Sequence, residues 1–344
     1  MRIFSYRNKR NMKRIGLTLL AIVGVLLLLI VCRFLYLDRF IVYADGHAKL
    51  DYGQKLEASH LPAQKPDPAE FPFETILGGS EDEEEDGSVL AQLNGYYVST
   101  SMLAKDVDAV RAALTEDTEY NAVLIDVKSV YGNFYYSSKL SGAQKATADI
   151  EAIDKLISQL TARKGLTVIA RVPAFSDPNY ALAHQSQGLP LYSGALWTDD
   201  NGCYWMNPYS NDVQGWLTSI AMELEGLGFD EVLFDDFYFP DSDRISWVSD
   251  NVTKEAAILD AAENIADNLS GSEIRVSFGT GDAKIAENAA RLFIDTEKAS
   301  DVKKYMESLS EALPDPAAQL VFCTTSRDTR FNQCGVIRPL LDVE

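Results

Sequence analysis

Asn121-Ala122-Val123-Leu124-Ile125-Asp126-Val127-Lys128 reads as a β-strand buried on both faces, an apolar run that ends in charge. Two other stretches repeat the design: Val168-Ile169-Ala170 runs into Arg171, and Val232-Leu233-Phe234 runs into Asp235-Asp236. Strands covered on both faces belong to parallel sheets, whose crossovers lay helices over them. Working outward, strands are expected at 95–99, 122–128, 166–174, 231–239, 274–279, 292–295 and 319–324. Helices are expected between them at 103–114, 148–164, 212–226, 253–269, 282–290 and 300–313. The second of these carries Ile150, Ile153, Leu156, Ile157 and Leu160, an apolar stripe of helical period. The alternation predicts an α/β fold, a (β/α)8 TIM-like barrel over 93–344, abbreviated or irregular at its C-terminal end. A doubly wound open sheet is the competitor, but the glycine-rich turn that binds dinucleotides is missing after the first strand.

Upstream of the barrel the composition changes twice. Arg2, Arg7, Lys9, Arg10, Lys13 and Arg14 precede an uncharged stretch from Ile15 to Cys32, which Phe34 to Leu37 can prolong. A helix over 15–37 is long enough to cross the roughly 30 Å hydrocarbon core, and no small-x-small cleavage site follows it. The expectation is a retained single-pass anchor in the cell membrane, its basic tail (1–14) cytoplasmic and the C-terminal domain extracytoplasmic. Residues 38–92 hold Pro62, Pro66, Pro68, Pro72 and the block Glu81-Asp82-Glu83-Glu84-Glu85-Asp86, and read as an extended stalk.

Seven of the 31 basic residues precede Asp38, where no acid stands, so the remaining 24 face 51 acids, a formal charge of −27. Such a surface repels nucleic acid, which is excluded as a partner. His47, His60 and His184 are scattered and none adjoins a cysteine pair, so neither a metal nor another cofactor is expected. Cys323 and Cys334 could pair in an oxidising compartment.

Barrel chemistry is staged at the C-terminal ends of the strands, where Asp126, Lys128, Arg171, Asp235 and Asp236 fall. Side chains alternate along a strand, so Asp126 and Lys128 share a face, as do Leu233, Asp235 and Phe237, with Asp236 opposite. A carboxylate among Phe234, Phe237 and Phe239 is costly unless paired, with Arg171 or Lys128 as candidates, or at work in a site. A second cluster, Trp197 to Tyr209, could be a sugar platform or a loop packed on the rim.

Four motifs in order carry a family resemblance: Asn121 to Lys128; Ile169-Ala170-Arg171-Val172 with Phe175-Ser176-Asp177-Pro178; Trp205-Met206-Asn207-Pro208-Tyr209; and Gly228 to Asp235 through Phe239-Pro240. Over roughly 93–240 the chain resembles the "putative glycoside hydrolase domain" family of bacterial envelope proteins. The resemblance implies a (β/α)8 barrel with glycosidase activity on an envelope or environmental polysaccharide. It departs from the family at Asp236 and Tyr238, which stand where tyrosine and arginine are usual, and at Val276-Ser277-Phe278-Gly279, which lacks an expected aspartate.

The resulting expectation is a membrane-anchored glycosidase with Asp235 as nucleophile or charge stabiliser and Asp126 or Asp236 as acid/base, Asp282 in reserve. Lys128, Arg171, Trp205, Asn207 and Tyr238 would position the sugar. Two rivals remain. A non-catalytic carbohydrate-binding or envelope-organising protein predicts no second carboxyl group within reach of Asp235, and a purely structural domain predicts no rim cleft.

Overall fold

The computed structural model describes residues 41–44, 47–50, 90–116, 119–246 and 252–341. They belong to two units, 1–75 and 76–344. In the first, β1 (Ile41–Ala44) pairs antiparallel with β2 (His47–Leu50). The basic tail, the anchor expected over 15–37 and most of 38–92 lie outside the described residues. Among those described, no helix is long and apolar enough to cross a membrane.

In the second unit eight parallel strands close a barrel. In chain order they are β3 (Asn94–Val98), β4 (Ala122–Asp126), β7 (Thr167–Pro173), β8 (Glu231–Asp235), β9 (Arg275–Phe278), β10 (Leu292–Asp295), β11 (Leu320–Cys323) and β12 (Gly335–Pro339). A short parallel pair, β5 (Asn133–Phe134) with β6 (Gln144–Lys145), decorates the loop after β4. The helices are α1 (Thr100–Lys105), α2 (Val107–Glu116), α3 (Ile150–Thr161), α4 (Pro178–Ala183), α5 (Asn211–Gly226), α6 (Lys254–Asn268), α7 (Ala299–Leu309) and α8 (Pro316–Gln319).

Strand alternation divides the apolar residues into two cores. Ala122, Leu124, Ile169, Leu233, Phe293, Val321 and Ile337 point inward and fill the barrel. Val123, Ile125, Val168, Ala170, Val232 and Phe234 point outward against helices that bury stripes such as Ile153, Leu156, Ile157 and Leu160 of α3. Polar caps fix where the helices begin: Ser99 accepts from Met102 N, Asp149 from Ala152 N, Ser210 from Val213 N and Thr253 from Ala256 N.

Four departures from the expected elements have local causes. The helix expected at 103–114 is two, because Asp106 is extended and its carboxylate caps a new start through Ala109 N at 2.9 Å. The strand from 231 stops at Asp235, since Asp236 turns to φ 52 and leaves the ladder. The helix expected at 282–290 is a single 3-10 turn, Ala286–Asn288, so the irregularity lies in the β9–β10 crossover. The strand with no sequence counterpart, β12, closes the barrel by pairing with both β11 and β3.

The β9–β10 seam is the thinnest, with one residue pair, Phe278 with Leu292. A buried polar clamp spans it. Glu231, fully buried on β8, accepts from Ser277 Oγ at 2.6 Å and pairs with Arg291, which donates Nε to Ala318 O at 3.0 Å and Nη2 to Ala91 O at 3.1 Å. One guanidinium thereby ties β8 to the chain ahead of β10, β11 and β3.

Candidate active site

The same inward phase that fills the barrel places polar side chains in its last layer. Tyr97, Asp126, Arg171, Asp235 and Asp295 lie at or near the C-terminal ends of β3, β4, β7, β8 and β10, the charged ones each two residues above an inward-facing neighbour, Leu124, Ile169, Leu233 and Phe293. Arg171 is the hub. Its Nη1 donates to Tyr97 Oη at 2.9 Å and Asp126 Oδ1 at 3.3 Å, and its Nη2 contacts Asp235 Oδ2 and lies 3.9 Å from Asp295 Oδ2. Asp126 also accepts from Tyr97 Oη at 2.6 Å and Thr100 N at 3.3 Å. Three carboxylates thus share one cation.

That imbalance sets the protonation behaviour. Burial pushes the Asp126 carboxyl up, against the pull of Arg171. Arg171 itself loses hydration, but Asp235 and Asp126 outweigh that and hold it well above its ordinary value. Hydration lost beside its neighbours, then the charge of Asp235, raises Asp295 although its side chain is exposed. The same two causes push Asp236 up to about 6.

Because Asp236 is harder to ionise folded than unfolded, it contributes stability below the usual carboxylate range that is lost as pH rises through about 6. Asp236→Asn is therefore expected to melt above the wild type at pH 7–8 and to lose that advantage below pH 4. A series of thermal melts across pH checks this, and parallel curves would refute it. Asp236 is also the sole non-glycine residue with positive φ among those described, strain of the kind that gathers at working sites.

Gly279, ending the β9 run, makes room for Asp235: a Cβ there would stand 2.2 Å from Asp235 Oδ1. Gly279→Ala must displace the carboxylate, and a misplacement near 1 Å costs about 100-fold in rate. The expected result is that loss with the melting temperature little changed, read by turnover beside thermal unfolding.

The residues expected to position the sugar do not all meet here. Arg171 does. Lys128 lines the cleft beside Asp126 and Asp235 but is 1 % exposed, its Nζ 3.1 Å from Asp177 Oδ2 and donating to Ser176 O at 3.2 Å, so its charge is matched inside the protein. Trp205 is 3 % exposed, donates Nε1 to Asp199 at 3.1 Å and packs on Trp197 and Tyr238, which makes it a support for the loop instead of an open platform. Asn207 accepts from Tyr209 N within its own turn. Tyr238 is 48 % exposed, beside Trp205. Asp282 lines a separate cleft with Tyr238 and Phe239. Cys323 and Cys334 are free thiols.

Sequence reasoning missed Tyr97, Asp295 and Gly279. Asp295 had a signal, since Leu292-Phe293-Ile294-Asp295 repeats the apolar run ending in aspartate of β4 and β8.

Two clefts flank Arg171. One of about 220 Å³ is lined by Asp126, Tyr131, Asp235 and Asp236, the other of about 530 Å³ by Tyr97, Leu124, Asp295, Glu297, Thr325 and Ile337. Glu297 is held ionised by donors from Thr324 and Thr325. A larger groove, about 960 Å³, lies by Asn94, Tyr96, Arg327 and Arg338, away from the carboxylates. Among the described residues no group of His, Cys, Asp or Glu is arranged to hold a metal ion. A layer of carboxylates, one guanidinium and an open cleft can bind a polar ring and move protons at it.

A family model described as "putative glycosyl hydrolase domain" matches residues 95–312. No curated protein matches the chain. Among solved structures, it is similar to a hypothetical protein from Ruminiclostridium thermocellum, at 25% identity over 53% of this chain and 96% of that one, TM-score 0.46. It is similar to Aspergillus fumigatus Ega3 in complex with galactosamine at 12% identity, over 73% and 93%, TM-score 0.47. It is also similar to the GH36 alpha-galactosidase AgaA of Geobacillus stearothermophilus in complex with stachyose at 14% identity, over 73% and 40%, TM-score 0.53, a likeness of fold.

Proposed function

This chain belongs to the "putative glycosyl hydrolase domain" family, and from that premise we propose that it is a glycosidase cleaving an envelope or environmental polysaccharide at the C-terminal mouth of the barrel. The observation that carries the reading is the convergence of Asp126, Asp235 and Asp295 on Arg171. Glycoside hydrolysis passes through a transition state with positive charge at the anomeric carbon, flanked by two carboxyl groups. Asp235 is the carboxylate at that carbon, its orientation fixed by Arg171 and by the space Gly279 leaves. Asp126, with its oxygens already filled by Tyr97, Thr100 and Arg171, keeps the guanidinium in place. Tyr131, 55 % exposed in the cleft with Asp235, offers an aromatic face to a sugar ring.

The rival binding protein expected no second carboxyl group within reach of Asp235, and two share its arginine. The proposal includes the location: the basic start, the apolar stretch over 15–37 and the acidic, proline-bearing residues 38–92 would hold the barrel outside the membrane on a stalk. The test is the full-length chain incubated with a panel of purified envelope and plant polysaccharides, counting reducing ends. Release from one of them is expected. Retention of a polysaccharide without release would replace the glycosidase with the binding protein.

A further inference from the structure

Resting on the glycosidase reading above, we infer that Asp295 is the acid/base carboxyl group of a two-step, configuration-retaining hydrolysis in which Asp235 is the nucleophile. Both carboxylates reach the same nitrogen, Nη2 of Arg171, Asp235 in direct contact and Asp295 at 3.9 Å. With a charged hydrogen bond of about 2.8 Å, two oxygens so placed are at most roughly 6–7 Å apart. Retaining enzymes space their carboxyl groups by about 5–5.5 Å, whereas inverting ones need ~6.5–9.5 Å to admit a water. The limit set by the shared nitrogen favours the shorter class.

Two further observations fit the pair. Asp235 and Asp295 belong to β8 and β10, and the strand between them, β9, is followed by Gly279, whose missing side chain lets the Asp235 carboxylate sit against the backbone there. The Asp295 side chain is 69 % exposed and lines the larger cleft, so a leaving oxygen can reach it. Its register partner on the neighbouring strand is Cys323. The other candidates lack this combination. Asp126 is buried with its oxygens filled, and Asp236, which lines the smaller cleft beside the nucleophile, makes no ion pair with the shared nitrogen.

In the first step an Asp235 oxygen bonds to the anomeric carbon as the glycosidic C–O bond breaks, and the Asp295 proton passes to the leaving oxygen. In the second, Asp295 takes a proton from water, whose oxygen attacks the anomeric carbon and displaces Asp235. Lost hydration and the Asp235 charge both raise Asp295 in the free enzyme, which favours its acid form; esterifying Asp235 removes that charge, which favours its base form.

The experiment uses the full-length chain and the polysaccharide it cleaves. The anomer first released by wild type, followed by NMR, should match the linkage cut. Asp295→Ala should lose roughly 100- to 10,000-fold in rate on the polysaccharide, and on an activated aryl glycoside of the same sugar, whose leaving group needs no proton, it should be accelerated by excess sodium azide to a glycosyl azide of retained configuration, whereas Asp236→Ala should not respond to azide. An inverted first product, or azide rescue of Asp236→Ala alone, would overturn this assignment while leaving the glycosidase intact. Absence of cleavage by wild type on every polysaccharide would overturn both. The wild-type anomer is decisive even if the variants fold poorly.

Discussion

Asp235→Asn is expected to lower polysaccharide cleavage by about 10,000-fold or more, the scale on which losing a nucleophile is felt. The amide keeps the shape of the carboxylate, and Arg171 retains Asp126 and Asp295, so the barrel should melt within a few degrees of the wild type. The chemistry goes because an amide oxygen is a poor nucleophile and cannot balance charge at the anomeric carbon. The substitution has a second signature. Asp235 helps to raise both Asp236 and Asp295, so its removal should bring the titration of each down toward the ordinary carboxylate range, visible by NMR. Reducing ends counted beside circular dichroism provide the check, and full activity in Asp235→Asn would remove Asp235 from the reaction.

Glu231→Ala is expected to cost about 3–5 kcal/mol, because it strands Arg291 inside the protein with no counter-charge. For a domain of this size that is roughly 10 °C of melting temperature. The location makes the effect global. The clamp crosses the β9–β10 seam, where a single residue pair joins the strands, and Arg291 also holds the carbonyls of Ala318 and Ala91. Replacing both partners with apolar residues, Glu231→Leu with Arg291→Met, should recover part of the loss, since Arg291 is then no longer stranded and only Arg275, 3.6 Å from Glu231 and partly exposed, loses its partner. Thermal unfolding of the two single variants and the double variant measures the coupling, and an unchanged melt in Glu231→Ala would mean that the seam is held by packing alone.

The sequence showed most of the barrel because burial on two faces leaves a plain mark. Runs such as Ala122 to Ile125 and Val232 to Phe234 have few other uses, and the stripe of α3 is periodic. The strand it concealed, β12, starts at Gly335 and ends at Pro339, residues that read as turn punctuation until β11 and β3 are seen on either side. Local chemistry also decided the break at Asp106 and the stop at Asp236, where a side-chain cap and a left-handed residue override the pattern.

Alternation along each strand determined, from sequence alone, that Asp126, Arg171 and Asp235 belong to the last inward layer; it put Asp236 on the other face, but the strand stops at Asp235 and the left-handed turn at Asp236 leaves it lining the same cleft. Which of those charges meet was decided by tertiary structure. Lys128 and Arg171 look equivalent in the chain, two cations after apolar runs, yet Lys128 is turned into a buried pair with Asp177 while Arg171 gathers three aspartates from three strands. The reason is physical. Periodicity assigns a residue to a face, but an ion pair depends on distances between strands far apart in sequence, and only the closing of the barrel sets those.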